Sequence, residues 1–294
     1  MDVFLSMSVF RRVAETGNFS EVAREMGITQ PSVSKHVAAL EKHLNSKLIN
    51  RSTRQLSLTD IGKLYYSRCV HIVDELIETE SLMRNQQSKP TGILRINTPV
   101  TFGELHIVPY LWKFLEDYPD LKLDLIMDDH YVDLVKDGVD VAIRIGPLSD
   151  SNLIAQKIGN SPRVAVASPD YLLEHGEPVS LKDLEKHACI VYTLLTTRSD
   201  WHFTGPQGKE TVRVDGRFQV NNPRTILQAV LAGQGIAVTP LWLIGDYVKS
   251  GQLKIILEDY TPTPLDIHAL YPDRHFMPAK VSCFVEYMRR QLTS

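Results

Sequence analysis

The chain holds only three cysteines in 294 residues, Cys69, Cys189 and Cys283, far apart and with no CxxC pair. An odd, scattered set argues against a disulfide framework or a structural zinc site and fits a reducing cytosol. Glycine and proline number 16 each, too few for collagen-like or low-complexity character. No apolar run reaches the roughly 20 residues of a membrane helix. The most apolar stretch, residues 229–245, contains Gln234 and Thr239 and is cut by Gly233, Gly235 and Pro240. The opening segment does not read as a signal peptide, because Asp2 follows the methionine and Arg11 and Arg12 interrupt the apolar positions. GxSxG, HExxH, GxxxxGK[ST] and GxGxxG are missing, and no carboxylate pair or histidine ligand pattern stands out. Nothing therefore asks for an enzyme, a metal or a cofactor.

What is present is an ordinary globular balance, 43% hydrophobic and 23% charged, which excludes wholesale disorder, in a length that suggests two domains. Net charge is −3, but residues 30–58 hold five bases (Lys35, Lys42, Lys47, Arg51, Arg54) against one acid (Glu41). Residues 91–294 hold 20 bases and 25 acids. An acidic body with one basic patch is how a DNA-reading module on a larger protein looks.

The patch lies on a helix-turn-helix pattern. Met7, Phe10 and Ala14 recur at helical spacing before Gly17. Ser20 reads as an N-cap of a short second helix, with Glu21 in its first turn and Gly27 as its stop. A third helix starts at Thr29 or Gln30 with Pro31 in its first turn. Val33, Val37, Leu40 and Leu44 form its buried face, leaving Ser32, Lys35, His36 and Ala39 on another. Small hydroxyls, an amide and a cation near the start of such a helix suit base edges in a major groove. Gln30 suits adenine, and Lys35 suits guanine or phosphate. Beyond it, residues 47–58 read as two short strands around a turn carrying Arg51 and Arg54, a wing whose contact is phosphate.

These residues carry a resemblance. AETGNFS, QPSVS, LE at 40–41 and LTDIG within residues 10–62 resemble the DNA-binding domain of the LysR-type transcriptional regulators. The resemblance implies base-region contacts at Gln30, Pro31, Ser34 and Lys35, and phosphate contacts at Ser20, Ser32, Arg51 and Arg54. His36 belongs to the same set, standing where the family often has Arg or Lys.

From Thr59 to about Ser88 runs a candidate helix with a near-heptad stripe of Ile61, Tyr65, Cys69, Ile72, Leu76 and Met83. A lone amphipathic helix of that length needs a partner, and the same helix of a second chain is the economical one. Two recognition helices would then read half-sites about one DNA turn apart, an interrupted palindrome. The family resemblance adds a homotetramer as the usual assembly. Residues 85–92 read as a hinge.

The remaining two hundred residues alternate strand and helix signals, which implies open parallel sheets covered by helices. YVDLVKDG reads as a short helix and VDVAIRIG as a strand. GILRINTPVTFGELHIVPYLWKFLEDYPDLKLDL, VDVAIRIG and LAGQGIAVTP resemble the family's effector domain, which is similar to type 2 periplasmic binding proteins. The implied fold class is mixed. An all-α winged helix-turn-helix covers 1–58 and a linker dimerisation helix covers 59–89. An α/β effector-binding domain covers 90–294, with lobe one at 91–162 plus 267–294, lobe two at 163–266, and crossovers near 162–166 and 264–268.

Open α/β sheets bind ligands at the carboxyl ends of strands and at helix starts. That rule selects Thr98, Val100, Thr101, Asp128, His130, Arg144 and Gly146 from lobe one. From lobe two it selects Thr196, Trp201, His202, Asn221 and Asn222. Hydroxyls and N–H groups there suit a carboxylate, so a small organic acid is the expected effector. Arg198 and Arg224 are further candidate charges. The expected partners are double-stranded promoter DNA, the effector, copies of the chain and RNA polymerase, with no membrane, in the cytoplasm. The alternative reading is a solute-binding protein of a transport system, which would be exported and would lack the winged helix.

Overall fold

The computed structural model describes residues 2–51, 56–83, 90–130, 132–148, 151–272 and 277–292. The N-terminal domain consists of α1 (Val3–Thr16), α2 (Phe19–Glu25) and α3 (Gln30–His43), followed by β1 (Ile49–Arg51) and β2 (Leu56–Leu58). Asp2 caps α1 and Thr29 caps α3. Asn18, not Ser20, caps α2, its side chain accepting the N–H groups of Ser20 and Glu21. The helix begins two residues earlier than its sequence suggests, so Ser20 already lies within the first turn. Gly27 closes the turn before α3 at φ +64°, a conformation that disfavours residues with a Cβ. Val9, Phe10, Val13, Val22, Val33, Val37 and Leu40 are buried together where the three helices meet.

The strands β1 and β2 pair antiparallel, with Ile49 opposite Leu58. Glu41 joins this wing to α3. Its buried carboxylate accepts the N–H of Leu48 at 2.9 Å and of Ile49 at 3.2 Å, and the Lys47 ammonium at 2.9 Å.

The linker helix α4 (Asp60–Met83) is capped by Thr59, whose Oγ1 accepts the Gly62 N–H at 2.9 Å. The single stripe expected from the sequence splits in two. Cys69 is buried with Val73 against the helix-turn-helix, and Tyr65 packs on the same core. Ile61, Ile72 and Leu76 point outward, together with Leu64. A straight helix turns about 20° per heptad relative to a strict seven-residue repeat, and its inner face is already claimed by α1. Most of the hinge read at 85–92 lies outside the described residues.

The C-terminal region starts with β3 (Gly92–Thr98), a helical segment made of α5 (Val100–Phe102), a π turn (Gly103–Ile107) and α6 (Val108–Asp117), then β4 (Leu121–Met127), β5 (Val141–Ile145) and β6 (Leu153–Ser161). The chain crosses to a second lobe at β7 (Arg163–Ala167), α7 (Pro169–His175), a 3₁₀ turn (Leu181–Lys186), β8 (Cys189–Tyr192), β9 (Asp200–Gly205), β10 (Gly208–Arg213) and β11 (Phe218–Val220). That lobe continues with α8 (Pro223–Leu231), β12 (Ile236–Pro240), α9 (Leu241–Lys249), β13 (Lys254–Ile256) and β14 (Thr261–Pro262). The chain then returns to lobe one as β15 (Leu265–Pro272) and α10 (Ala279–Leu292).

Lobe one is a five-stranded sheet ordered β4-β3-β5-β15-β6, and lobe two one ordered β11-β8-β12-β7-β13. Neither is purely parallel. The returning strand β15 runs antiparallel to both β5 and β6, and β7 runs antiparallel to β12 and β13. In lobe one this follows from the crossovers, since the chain leaves at Ser161 and re-enters beside it at Leu265, so β15 must run back along β6. Strands β6 and β9 lack a clear apolar alternation, and the sequence did not announce them. β6 is an edge strand, where polar residues such as Gln156, Lys157 and Asn160 are tolerated. The short helix expected in YVDLVKDG is a set of turns over residues 134–138. Its Asp137 N–H bonds back to the Asp133 carbonyl at 2.8 Å and Gly138 stops it at φ +68°.

A charged cluster ties the linker helix to lobe one. The Lys280 ammonium on α10 donates to Asp140 Oδ2 at 2.9 Å and to the Ile93 carbonyl at 2.7 Å. It also lies 3.4 Å from Asp74 Oδ2 on α4. Asp74 Oδ1 in turn accepts Arg11 of α1 at 2.6 Å.

Candidate functional site

The exposed surface of α3 presents Gln30, Pro31 and Lys35, with Ser32 and Ser34 half-buried beside them; Ser20 is exposed on α2. Six of the predicted contacts therefore share the outer surface of the helix-turn-helix. His36 is half-buried on α3, and its Nδ1 lies 3.1 Å from Ser6 Oγ on α1. The single step along α3 from Lys35 turns its side chain by about 100°, toward the first helix. Arg51 ends β1, and Arg54 lies outside the described residues. Arg24 and Lys42 are further exposed bases on this domain, whereas Arg12 is engaged by Glu15 and Glu25.

A second site lies between the lobes, a cavity of about 390 Å³. Lobe one contributes Thr101, Phe102, His130 and Arg144 to its lining, and lobe two contributes Arg163, Tyr192, Thr196, Thr239 and Trp242. Of the twelve positions selected from the sequence, Thr101, His130, Arg144 and Thr196 line it. Thr98 is fully buried at the end of β3 and packs toward Gly103. Val100 and Gly146 adjoin lining residues, their N–H groups donating to Asp129 Oδ1 at 3.0 Å and to the Asp266 carbonyl at 2.9 Å. Asp128 turns back on His130, whose backbone N–H and ring hold its carboxyl below the usual range. Trp201 and His202 lie on β9, which lines a small cleft of about 20 Å³ that shares Arg163 and Tyr192 with the cavity. Asn222 serves as the N-cap of α8, accepting the Thr225 N–H at 3.1 Å, and Asn221 precedes it in the chain. The eight positions that do not line the cavity were selected by their place near strand ends, but a strand end fixes only a position along the sheet, not which way the next side chain turns.

Several lining residues escaped the sequence reading. Thr239 sits at the carboxyl end of β12 and obeys the same rule that selected Thr101. Arg163 begins β7 at the first crossover, and its guanidinium donates to the carbonyl of Thr263 on the second, at 2.8 Å from Nε and 2.5 Å from Nη2. Burial lowers its pKa to about 10. Trp242 on α9 meets Phe102 of lobe one edge-on with ring centroids 5.4 Å apart, and its Nε1 donates to Ser161 Oγ at 2.9 Å. His106 stacks on Phe102 behind this wall, and burial keeps its pKa below the ordinary value. Arg224 spans the lobes to Glu104 at 2.8 Å, so it is engaged in an ion pair. Among the described residues no group of three or more His, Cys, Asp or Glu is placed to hold a metal ion, and no helix is long and apolar enough to cross a membrane.

Comparison with known proteins decides what these two sites belong to. Residues 4–63 match the bacterial regulatory helix-turn-helix protein profile of the lysR family, and residues 87–293 match the LysR substrate binding domain profile. The chain belongs to the LysR family. This regulator is 34% identical over 286 residues to the transcriptional activator AaeR of Escherichia coli K12, covering 97% of this chain and 92% of that protein. It is 33% identical to PtxR of Pseudomonas aeruginosa, covering 96% of this chain and 91% of PtxR. CrgA of Neisseria meningitidis, a LysR-type regulator of known structure, aligns over 99% of each chain with 29% identity and a TM-score of 0.63. Full-length AphB, the Vibrio cholerae virulence activator, aligns over 96% of this chain and 97% of AphB with 30% identity and a TM-score of 0.59. The protein is thus a DNA-binding transcriptional regulator with a small-molecule effector domain, and its relatives are regulators rather than enzymes. The reading as a transport solute-binding protein receives no support from them.

Proposed function

We propose that this LysR-type regulator reads its operator through the outer face of α3 and senses its effector in the interlobe cavity. The carrying observation is the cavity itself. It is walled by both lobes at the two crossovers, so a ligand touching both walls prefers one lobe arrangement over another. A ligand shifts such a balance only through its differential affinity for the two arrangements. Gln30, Pro31, Ser34 and Lys35 meet base edges, with Ser20, Ser32, Arg51 and Arg54 on phosphates. The exposed apolar face of α4 (Ile61, Leu64, Ile72, Leu76) pairs with that of a second chain. The resulting dimer, and the tetramer built from it, places two recognition helices on an interrupted palindrome. The regulator works in the cytoplasm and acts on RNA polymerase at the promoter.

The test begins by enriching binding sites from random DNA with the full chain, then titrating the enriched site. Its sequence should contain two related half-sites about one helical turn apart. Gln30→Ala should weaken binding and relax base preference at one position per half-site. Lys35→Ala should weaken binding and lower the salt slope by about 0.9 for each phosphate it no longer neutralises, or relax base preference if it reads guanine. Unchanged affinity in both variants would overturn the assignment of α3 as the reading face.

A further inference from the structure

We infer that the helix-turn-helix, the linker helix and lobe one form a single body joined at Asp74, and that lobe two is the part that moves against it. This goes beyond the reading of the cavity and holds whatever fills it. Asp74 on α4 gives one carboxylate oxygen to each side. Its Oδ1 accepts Arg11 of α1 at 2.6 Å, and its Oδ2 lies 3.4 Å from the Lys280 ammonium on α10. The side chains of Arg11, Asp74 and Lys280 are 10%, 19% and 7% exposed, so water and salt screen this bridge far less than a surface pair. An ammonium has three N–H donors, and Lys280 directs them to Asp140 Oδ2, the Ile93 carbonyl and Asp74. Parting α4 from lobe one would strip one of those donors and the Asp74 Oδ2 of their partners.

The bridge grips the sheet of lobe one rather than a surface loop. Ile93 lies in β3, and Asp140 immediately precedes β5, its neighbour in that sheet. The same Asp140 oxygen also accepts the Arg95 N–H of β3 at 2.9 Å. The far ends of these two strands reach Pro99, Arg144 and Ile145 in the cavity lining. Two further contacts keep α4 from turning on the bridge. Arg68 donates to the Val135 carbonyl at 2.6 Å, and the Arg95 guanidinium lies 5.8 Å from the centre of the Tyr66 ring. Contacts from Tyr66, Arg68 and Asp74 thus fix the orientation of α4 on lobe one as well as its position. On its other side α4 puts Cys69 and Val73 into the core of the helix-turn-helix, so that domain follows α4. Lobe two is joined to lobe one at the two crossovers, between β6 and β7 and between β14 and β15. A rearrangement there carries lobe two past the DNA-reading face and leaves the angle between α3 and lobe one unchanged.

Amide hydrogen exchange of the full chain, read by mass spectrometry on its peptides, tests this. Among the described residues Arg11 hydrogen-bonds to Glu15 and Asp74, on the DNA-binding side of the bridge. Arg11→Met should nevertheless raise exchange in α10 and β5 of lobe one about tenfold, the loss expected when a hydrogen bond to a charged group goes. Lys280→Met should raise exchange in α1 by a similar factor. Either variant suffices if the other does not fold, because each reads the domain it does not belong to. Asp74→Asn, which keeps the shape and removes the charge, should raise exchange in both α1 and α10. With Arg11→Met and Asp74→Asn, α8 and β12 of lobe two should exchange as in the unaltered chain. Exchange that rises only in the domain carrying the substitution would overturn the inference, since the two would then be separate bodies. A rise in lobe two equal to that in lobe one on Arg11→Met would overturn it as well, since lobe two would then belong to the same body.

Discussion

Replacing Lys280 by Met should be among the most damaging single changes to the regulatory domain. The Lys280 side chain is 7% exposed and that of Asp140 2% exposed, with 2.9 Å between ammonium and carboxylate. The same carboxylate oxygen also accepts the Arg95 N–H at 2.9 Å, so it is fixed and cannot swing out to water. Methionine fills much of the same volume but leaves the Asp140 charge buried without its cation. Removing one partner of a buried pair costs about 3–5 kcal/mol. For a domain of about 200 residues, at 2–4 °C per kcal/mol, the melting temperature should fall by about 10 °C. Circular dichroism melts and urea titrations of the full chain give both numbers. The double variant Lys280→Met with Asp140→Asn should recover more than half the loss, because the new amide still accepts the Arg95 N–H and no charge stays buried. Lys113→Met, at an exposed ion pair with Asp117, should change nothing measurable. A loss below about 1 kcal/mol for Lys280→Met would refute the reasoning, since it would mean that water screens the cluster as it does a surface pair.

Other outcomes follow from the same structure. Burial raises the Glu41 pKa, but Lys47 and the N–H groups of Leu48 and Ile49 outweigh it, so the carboxyl lies below its ordinary 4.5. Its contribution to stability is therefore full above that value and fades as pH falls through the lower folded one. Glu41→Gln should flatten acid unfolding of the N-terminal domain, and Glu41→Ala should cost about 3 kcal/mol by orphaning two buried N–H groups; an unaltered acid titration in both would contradict this. Burial pushes the Cys189 thiol up to about 12, leaving roughly one thiolate in ten thousand at pH 8. Cys189 should resist iodoacetamide in the folded protein and react once guanidinium exposes it; alkylation at the rate of a free thiol would show the burial to be wrong. Gly235 takes φ +143°, and a Cβ there would lie 2.3 Å from the Ala188 carbonyl oxygen. Gly235→Ala should destabilise lobe two by about 3 kcal/mol, read as a lower urea midpoint, and an unchanged midpoint would mean that the loop yields.

The helix-turn-helix was legible almost residue by residue because its signals are local. Caps, a turn glycine and the 3.6 period act within a few residues, and Val33, Val37 and Leu40 are buried as their spacing requires. The exposed face bearing Gln30 and Lys35 follows from the same period. The contact of His36 with Ser6 was not legible, because Ser6 lies thirty residues away. The linker helix was visible as a helix, but which of its apolar residues face inward was set by α1, so Cys69 went to the core and Ile72 to the surface.

In the regulatory domain the alternation of strands and helices was written in the residues alone, and the family's motifs added the two-lobed arrangement. It also picked out Thr101, His130, Arg144 and Thr196, which lie at or just beyond strand ends that meet the cavity. The rest depends on contacts between distant segments. Arg163 and Thr263 are a hundred residues apart in the chain but hydrogen-bonded at the crossovers. Thr101 and Thr239 line one cavity from different lobes. Lys280 is held between Asp74 and Asp140. Local propensity is written in neighbouring residues, whereas a cavity or a buried charge is defined by what distant segments bring to it, and no spacing along the chain encodes that.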